Sequence, residues 1–451
     1  MLFMEAKDIR DVKGKVRFFA NPCERDEGLT PPPGFVIGVF PLDGGGFEVY
    51  SAIRKGEERG NVIRLETSDF VSYSDPETVM TPDADRRAWV ATMTRKPDGS
   101  EYLLNASGSW EKTFGLFFYR SVDGRRFERL TEGPAFTDHD AAYLFYDTQK
   151  ERYGFAEATY MDVGWRRVPP DNHGDRPRRC ITVRHSADGV TWTPGDNATK
   201  EHPLPPELVR APDDDDSPDA ELYWFLVFPY GDRYVGMVQT YASTPRGANP
   251  YYVDEGVNGF WEGRGPALHG PHLATEWWLT EDPTDIHAWR RPWREAEAGP
   301  LGFHVHHQPA VLDGRLVWFF GMKQSWFGED SAPVHPVSIA AGRIAGVTAT
   351  SNAAFSTPLF DASKTALSLD ASCSFHGDKT LPAQRQAYIM VEVVDERGET
   401  IPGYEREDCL FRDVDDSRLP LRWGDKGTPS LAGRRVALRF HFRDSFVYGV
   451  G

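Results

Sequence analysis

Cysteine is scarce in this chain. The four residues, Cys23, Cys180, Cys373 and Cys409, lie far apart with no C-x-x-C pair among 451 positions. That spacing argues against a zinc site, and the four read as free, buried thiols. Basic excess is also missing. A net charge of −17 repels phosphate backbones and supplies no cationic face for lipid, so neither nucleic acid nor membrane is an expected partner. No apolar run approaches the roughly 20 residues that span a bilayer. The opening MLFMEAKDIRDVKGK lacks the apolar core and cleavage-like end of a signal peptide. The expected location is therefore cytoplasmic, unless an N-terminal signal has been removed.

What the chain has in quantity is turn formers and flat rings: 42 Gly and 34 Pro beside 13 Trp. That mixture suits short strands better than long helices. Residues 15–50 already alternate apolar runs with turns: VRFFA, Asn21-Pro22, Pro31-Pro32-Pro33-Gly34, FVIGVF, three glycines, FEVYSAI.

A short pattern then recurs, Ser/Thr-x-Asp-Gly-x-x-aromatic. It reads TSDFVSY from Thr67, SVDGRRF from Ser121 and SADGVTW from Ser186, with a looser copy from Thr280 that ends at Trp289 after a four-residue insertion. The pattern predicts a strand end. The hydroxyl and Asp side chains bond nearby amides, Gly turns left-handed, and the aromatic residue opens the next segment against the sheet. Copies at irregular but blade-like spacing, each with several short strands between, predict propeller blades. The bland alternative is a good hairpin turn repeated by chance in an all-β protein.

Strand triplets fill the intervals. AWVATMTR, YLLNAS and FGLFFYRS form one set; AAYLFYD, RYGFAEATY and CITVRHS the next; LYWFLVFPY, RYVGMVQTYA and TEWWLTE a third. Another begins near His304, and a closing strand from the start of the chain would lock the ring. After about Pro336 Trp falls to one, Trp423, and apolar alternation becomes cleaner, as in an antiparallel sandwich. The expected fold is all-β: a five-bladed β-propeller over residues 1–335, then an antiparallel β-sandwich over 336–451.

Candidate site residues cluster where acids precede inner strands. In TDHDAAYLFYD, Asp138, His139 and Asp140 come just before an apolar run, and Glu157 sits in the following aromatic strand. Asp138 and Asp140 share a strand face if the strand extends that far. Glu221 opens LYWFLVFPY in the next blade, beside Tyr223 and Trp224, where desolvation would suit a general acid. Glu157 is the competing acid. The run at residues 213–216 reads as a solvated acidic loop. His304, His306 and His307 lead into the fifth blade, and His304 and His306 have the spacing of metal ligands or sugar contacts. Trp165, Trp261, Trp326 and Phe327 lie in Gly- and Pro-rich stretches and are candidates for stacking on sugar rings. For every one of these residues, ordinary packing or a solvated loop is the competing reading.

Together these features resemble the five-bladed β-propeller glycosidases, the group holding glycoside hydrolase families 32 and 43. The resemblance rests on the strand triplets, on DHDAAYLFYD with its aromatic follower, and on the C-terminal sandwich, which is most similar to the fructosidase branch. It implies a carbohydrate substrate, no required cofactor, and a candidate structural calcium near the histidines. It also implies that Asp140 resembles the carboxylate that positions substrate and tunes the acid. The chain departs from the group in lacking both the W-x-N-D-P-N type element and the E-C-P acid. The expected function is hydrolysis of a furanoside or related glycan by paired carboxylates. Two alternatives stand beside it: a sialidase-like hydrolase, for which Arg120 and Arg184 would be two of three converging arginines, and a non-catalytic propeller that binds glycan or protein.

Overall fold

The computed structural model describes residues 1–53, 58, 60–81, 91–110, 113–137, 141–161, 178–195, 202–213, 215–216, 220–242, 272–294, 298, 303–322, 334–373 and 387–451. Among them the helical elements are 3₁₀ turns of three or four residues, and none is long and apolar enough to cross a membrane. The chain divides into two compact units, one of residues 22–339 and one of residues 1–21 with 340–451.

Among the described residues the larger unit holds five antiparallel sheets in chain order. Sheet one comprises Phe35–Pro41, Phe47–Ala52, Val62–Thr67 and Glu77–Met80. Sheet two has Ala91–Arg95, Tyr102–Trp110 and Thr113–Ser121, the last also pairing with Glu128–Arg129 and Phe136–Thr137. Sheet three has Ala142–Asp147, Arg152–Met161 and Arg178–Ser186; sheet four has Ala220–Tyr230, Arg233–Ala242 and His272–Thr280. Sheet five is built on Arg315–Met322, flanked by Phe303–His304, Ala310–Leu312 and Val334–Ala340. Its outer edge is completed by Glu24–Arg25, whose residues pair with Ser338 and Val337. This is the closing strand from the start of the chain that the sequence predicts.

Separate apolar clusters glue each sheet to the next. Ile37, Tyr50, Met93 and Leu104 join sheets one and two; Leu103, Phe118, Leu144 and Phe155 join two and three; Ala141, Ala158, Tyr223 and Trp224 join three and four. Phe228 of sheet four meets Trp318 of sheet five edge-on at 5.6 Å, and Val36, Val49, Val317 and Phe319 join sheet five back to sheet one. The five sheets therefore close a ring, and the first strands of sheets one to four pack each on the next. Four tryptophans, Trp277, Trp278, Trp289 and Trp318, are wholly buried, and each core ring of this size is worth about 3–5 kcal/mol against Ala.

The repeated turn sits at one place in four sheets, the end of the third strand. At Ser186 the hydroxyl accepts the Gly189 N–H at 2.9 Å, while Asp188 Oδ1 accepts the N–H groups of Val190 and Thr191 at 2.9 and 2.8 Å. Ser121 and Asp123 repeat this with Gly124, Arg125 and Arg126. Gly124 and Gly189 take φ of +69° and +70°. Each leans on the preceding sheet: a Cβ at Gly124 would lie 2.3 Å from the Tyr50 hydroxyl, and one at Gly189 3.1 Å from Leu103. The copy at Thr67 departs from the pattern. Phe70 occupies the glycine position at φ +55°, a strain of about 1–3 kcal/mol. It is offset by stacking on Phe47 at 4.6 Å and an edge contact with Phe319 at 5.4 Å. The turn aromatics also staple sheets together, as Trp192 does on Phe118 at 4.8 Å.

The smaller unit is a sandwich of two antiparallel sheets. One contains Arg10–Lys13, Ala353–Ser356, Arg435–Arg443, Tyr388–Val394 and Leu410–Phe411, with Phe360–Asp361 beside Arg435–Arg443; the other contains Arg17–Ala20, Ala345–Ala349, Ser445–Val450, Ser368–Cys373 and Val414–Pro420. Alternate residues of both, such as Val391, Phe440, Val347 and Leu369, form one core. The limits expected from the sequence, 1–335 and 336–451, differ from the observed units at the N-terminus. Residues 1–21 do not begin the propeller. Arg10–Lys13 and Arg17–Ala20 each add an edge strand to a sandwich sheet.

Candidate active site

Glu221 stands at the head of the first strand of sheet four and is 2% exposed. Its carboxylate meets Arg179 of sheet three, whose Nη1 lies 3.2 Å from Oε2 and whose backbone N–H donates to Oε1 at 3.3 Å. The Arg179 guanidinium also covers the Tyr223 ring, 5.0 Å from its centroid. Ala141, the residue that follows Asp140, packs in the same small cluster as Tyr223 and Trp224. The first strands of sheets three and four thus start side by side, with Glu221 at that junction.

Two donors on opposite oxygens serve an ionised carboxylate better than a proton donor. The acid role expected for Glu221 therefore meets a physical objection, and its desolvating neighbours Tyr223 and Trp224 come together with a cation. Arg179 is a site residue that the sequence reading missed. The signal was present: Arg179 and Arg184 flank CITV with odd spacing, so strand alternation sends them to opposite faces of sheet three, each to find a glutamate.

Arg184 finds Glu157. Both side chains are fully buried; Nε donates to Oε1 at 2.6 Å and Nη2 lies 2.6 Å from the same oxygen. The guanidinium also lies over Phe136 at 4.2 Å and donates to the Pro194 carbonyl. Glu157 Oε2 accepts no hydrogen bond from a described residue. Glu157 thus occupies the wall between sheets two and three, while Glu221 occupies the one between three and four. Arg120, the other arginine of the sialidase-like alternative, pairs with Glu101 at 3.3 Å and donates to the Asp188 carbonyl. Neither arginine is left to converge on a substrate carboxylate.

The histidines divide. His307 is buried with both ring nitrogens engaged: Nδ1 bonds the Gln308 carbonyl at 2.7 Å, and Nε2 accepts the Phe319 N–H at 2.9 Å. Burial pushes its pKa down to about 4. That corrects the expectation of a sugar contact, because a doubly bonded neutral ring offers no nitrogen to a ligand. His306 is buried between rings of two other sheets, with centroids 4.2 Å from Phe35 and 4.1 Å from Trp224. The Trp224 indole donates to the Val305 carbonyl at 2.8 Å. These contacts tie the starts of sheets one, four and five together. For His304 only the backbone is described. Among the described residues no group of three His, Cys, Asp or Glu is placed to hold a metal.

The acidic run is not a solvated loop throughout. Asp216 bonds the buried Arg291 at 2.6 Å, Arg291 also bonds Glu276 at 2.8 Å, and Arg294 bonds Asp213 at 2.7 Å, so the loop is clamped onto sheet four. These ion pairs hold Asp213 down at about 2. Asp138, His139, Asp140, Trp165, Trp261, Trp326 and Phe327 lie outside the described residues.

No family model matches the chain, and no curated protein matches it. Among solved structures it is similar to a GH32 beta-fructofuranosidase of Bombyx mori, at 10% identity over 96% of this chain and 93% of that one, with a TM-score of 0.44. It is similar to an endo-arabinase of Bacteroides thetaiotaomicron at 9% identity, covering 71% and 96%, with a TM-score of 0.40. It is also similar to an exo-beta-1,3-galactanase of Phanerochaete chrysosporium at 11% identity, covering 96% and 100%, with a TM-score of 0.40.

Proposed function

We propose that the chain is a glycoside hydrolase acting on a furanoside or related glycan, with Glu221 as one catalytic carboxylate and a carboxyl of the Asp138–Asp140 segment as its partner. The observation that supports this most is a buried, arginine-held carboxylate where the first strands of two neighbouring sheets begin together. Hydrolysis of a glycosidic bond needs two carboxyl groups, one protonated and one ionised. Arg179 fits Glu221 for the ionised part, as base or nucleophile, and leaves the acid to Asp140 or Asp138. The resemblance implies that Asp140 positions substrate; with Glu221 ionised, the proton falls to Asp140 or Asp138 instead.

The test is hydrolysis of a panel of aryl furanosides and pyranosides by the wild type and by Glu221→Gln. Turnover of a furanoside that falls about 10²-fold or more in the variant, with an unchanged melt, is expected. The pH profile separates the roles. If Glu221 works ionised, Glu221→Gln removes the acidic limb of kcat/KM; loss of the alkaline limb would return it to the acid role. Absence of turnover on the whole panel would favour the binding alternative, for which the Arg179–Glu221 pair is simply a wall contact.

A further inference from the structure

Sheets one and two enclose an open groove of about 500 Å³ at the outer edge of sheet one. That is within the roughly 300–1,000 Å³ of small-ligand sites. On one side are the buried Val79 and Met80 of the last strand of sheet one. On the other are Tyr119, Phe127, Arg126 and Arg129 of sheet two. Among the described residues no acid lines it, although the chain as a whole carries a net charge of −17.

The local chemistry is built by pairing and by the repeated turn. Tyr119 and Arg129 are direct cross-strand partners, so they share a face. Phe127 is the aromatic residue of the Ser121 turn, held edge-on to Tyr50 with centroids 6.4 Å apart. Arg126 is exposed, and its guanidinium makes no hydrogen bond or ion pair with a described residue. Asp123 accepts the backbone N–H groups of Arg125 and Arg126, and Glu77 pairs with the Arg125 side chain at 3.2 Å.

A guanidinium fork matches a carboxylate bidentately. Half-buried Tyr and Phe rings beside it offer flat apolar faces to the C–H face of a sugar ring. We propose that this groove binds an acidic oligosaccharide through the carboxylate of a uronic acid residue, at a place separate from the candidate active site. The choice of a sugar rests on the hydrolase reading; the choice of a carboxylate rests on the groove.

Titration calorimetry on the full chain tests it, with trimers of galacturonic and glucuronic acid, their methyl esters and inorganic phosphate as probes. One acid trimer is expected to bind, its neutral ester at least about tenfold more weakly, and Arg126→Gln to weaken the acid trimer at least about tenfold at an unchanged melt. Arg129→Gln should act in the same direction, while turnover of a neutral glycoside stays as in the wild type. Equal binding of acid and ester overturns the proposal, as does indifference to both arginine variants. Phosphate binding as tightly as the trimer overturns the sugar half, and no binding at millimolar concentration overturns all of it. Repeating the titration in Glu221→Gln keeps the two readings apart. Uronate binding by a protein that hydrolyses nothing sinks the hydrolase reading alone; hydrolysis without uronate binding sinks the groove alone.

Discussion

Glu157 and Arg184 allow structural and catalytic carboxylates to be told apart. Glu157→Gln keeps the side-chain volume but leaves the fully buried Arg184 guanidinium with an amide and the Pro194 carbonyl as acceptors. Breaking a buried pair from one side costs about 3–5 kcal/mol, because a charge stays in the interior without its counter-charge. At roughly 2.1 cal/mol/K of unfolding entropy per residue, that loss lowers the Tm of the unit at residues 22–339 by about 5–7 °C. Replacing both members by Met, which is apolar and adaptable, should restore most of the loss or exceed it. Scanning calorimetry of Glu157→Gln and of the double Met variant measures this, with turnover of the folded protein measured alongside. A wall residue gives a large Tm drop with turnover within a few-fold. A Glu157→Gln protein that melts within about 1 °C of wild type yet loses 10²-fold in turnover would refute the reasoning and make Glu157 a catalytic acid.

Other outcomes follow from the same contacts. Gly124→Ala should cost about 2 kcal/mol or more, from its positive φ and the Tyr50 hydroxyl in its way. Gly189→Ala should cost about 1 kcal/mol, because the Leu103 side chain it meets can yield; denaturant midpoints of the two variants rank them. His307 has a folded pKa lowered to about 4 against an ordinary value near 6.5, so the unfolded state binds its proton first. Its contribution is complete above about pH 6.5 and is lost as pH falls to about 4, a change of about 3 kcal/mol. Asp188, held at about 2 by backbone N–H groups, adds a shallower loss below about pH 4. Stability measured from pH 7 to 4 should flatten in His307→Asn, and an unchanged slope would contradict the assignment. Asp395 accepts the N–H groups of Arg397 and Glu399 in an exposed sandwich turn. Exchanging Asp395 and Glu396 for Ser should leave turnover within a few-fold, and a loss of several hundred-fold would contradict a passive role for that unit.

The parts of the fold legible in the sequence were those carried by local chemistry. Ser186, Asp188 and Gly189 state their turn outright, because the hydroxyl, carboxylate and left-handed glycine act within six residues of one another. The strands of the sandwich were legible through alternation, and Trp423 marks the change of texture. What lay beyond reach was assignment between distant segments. VRFFA announces a strand but not its sheet, and Arg17–Ala20 pairs with Ala345–Ala349 more than 300 positions away. The same limit governs the site. A glutamate beside two aromatic residues promises desolvation, and nothing local to Glu221 foretells Arg179, 42 positions upstream. His306 and His307 look like ligands by spacing, yet Phe35, Trp224 and the Phe319 amide claim them from other sheets or strands. Asp213 and Asp216 likewise look solvated until Arg291 and Arg294 arrive from about 80 positions on.

The most direct measurement of the central claim is a kinetic double-mutant cycle on a hydrolysed furanoside with Asp140→Asn, Glu221→Gln and the double variant. Groups that act as one catalytic unit are strongly non-additive. Each single change is expected to lower kcat/KM by about 10²-fold or more, and the double variant to be no slower than the worse single one. Wild-type turnover in Glu221→Gln, or losses that multiply in the double variant, would contradict it.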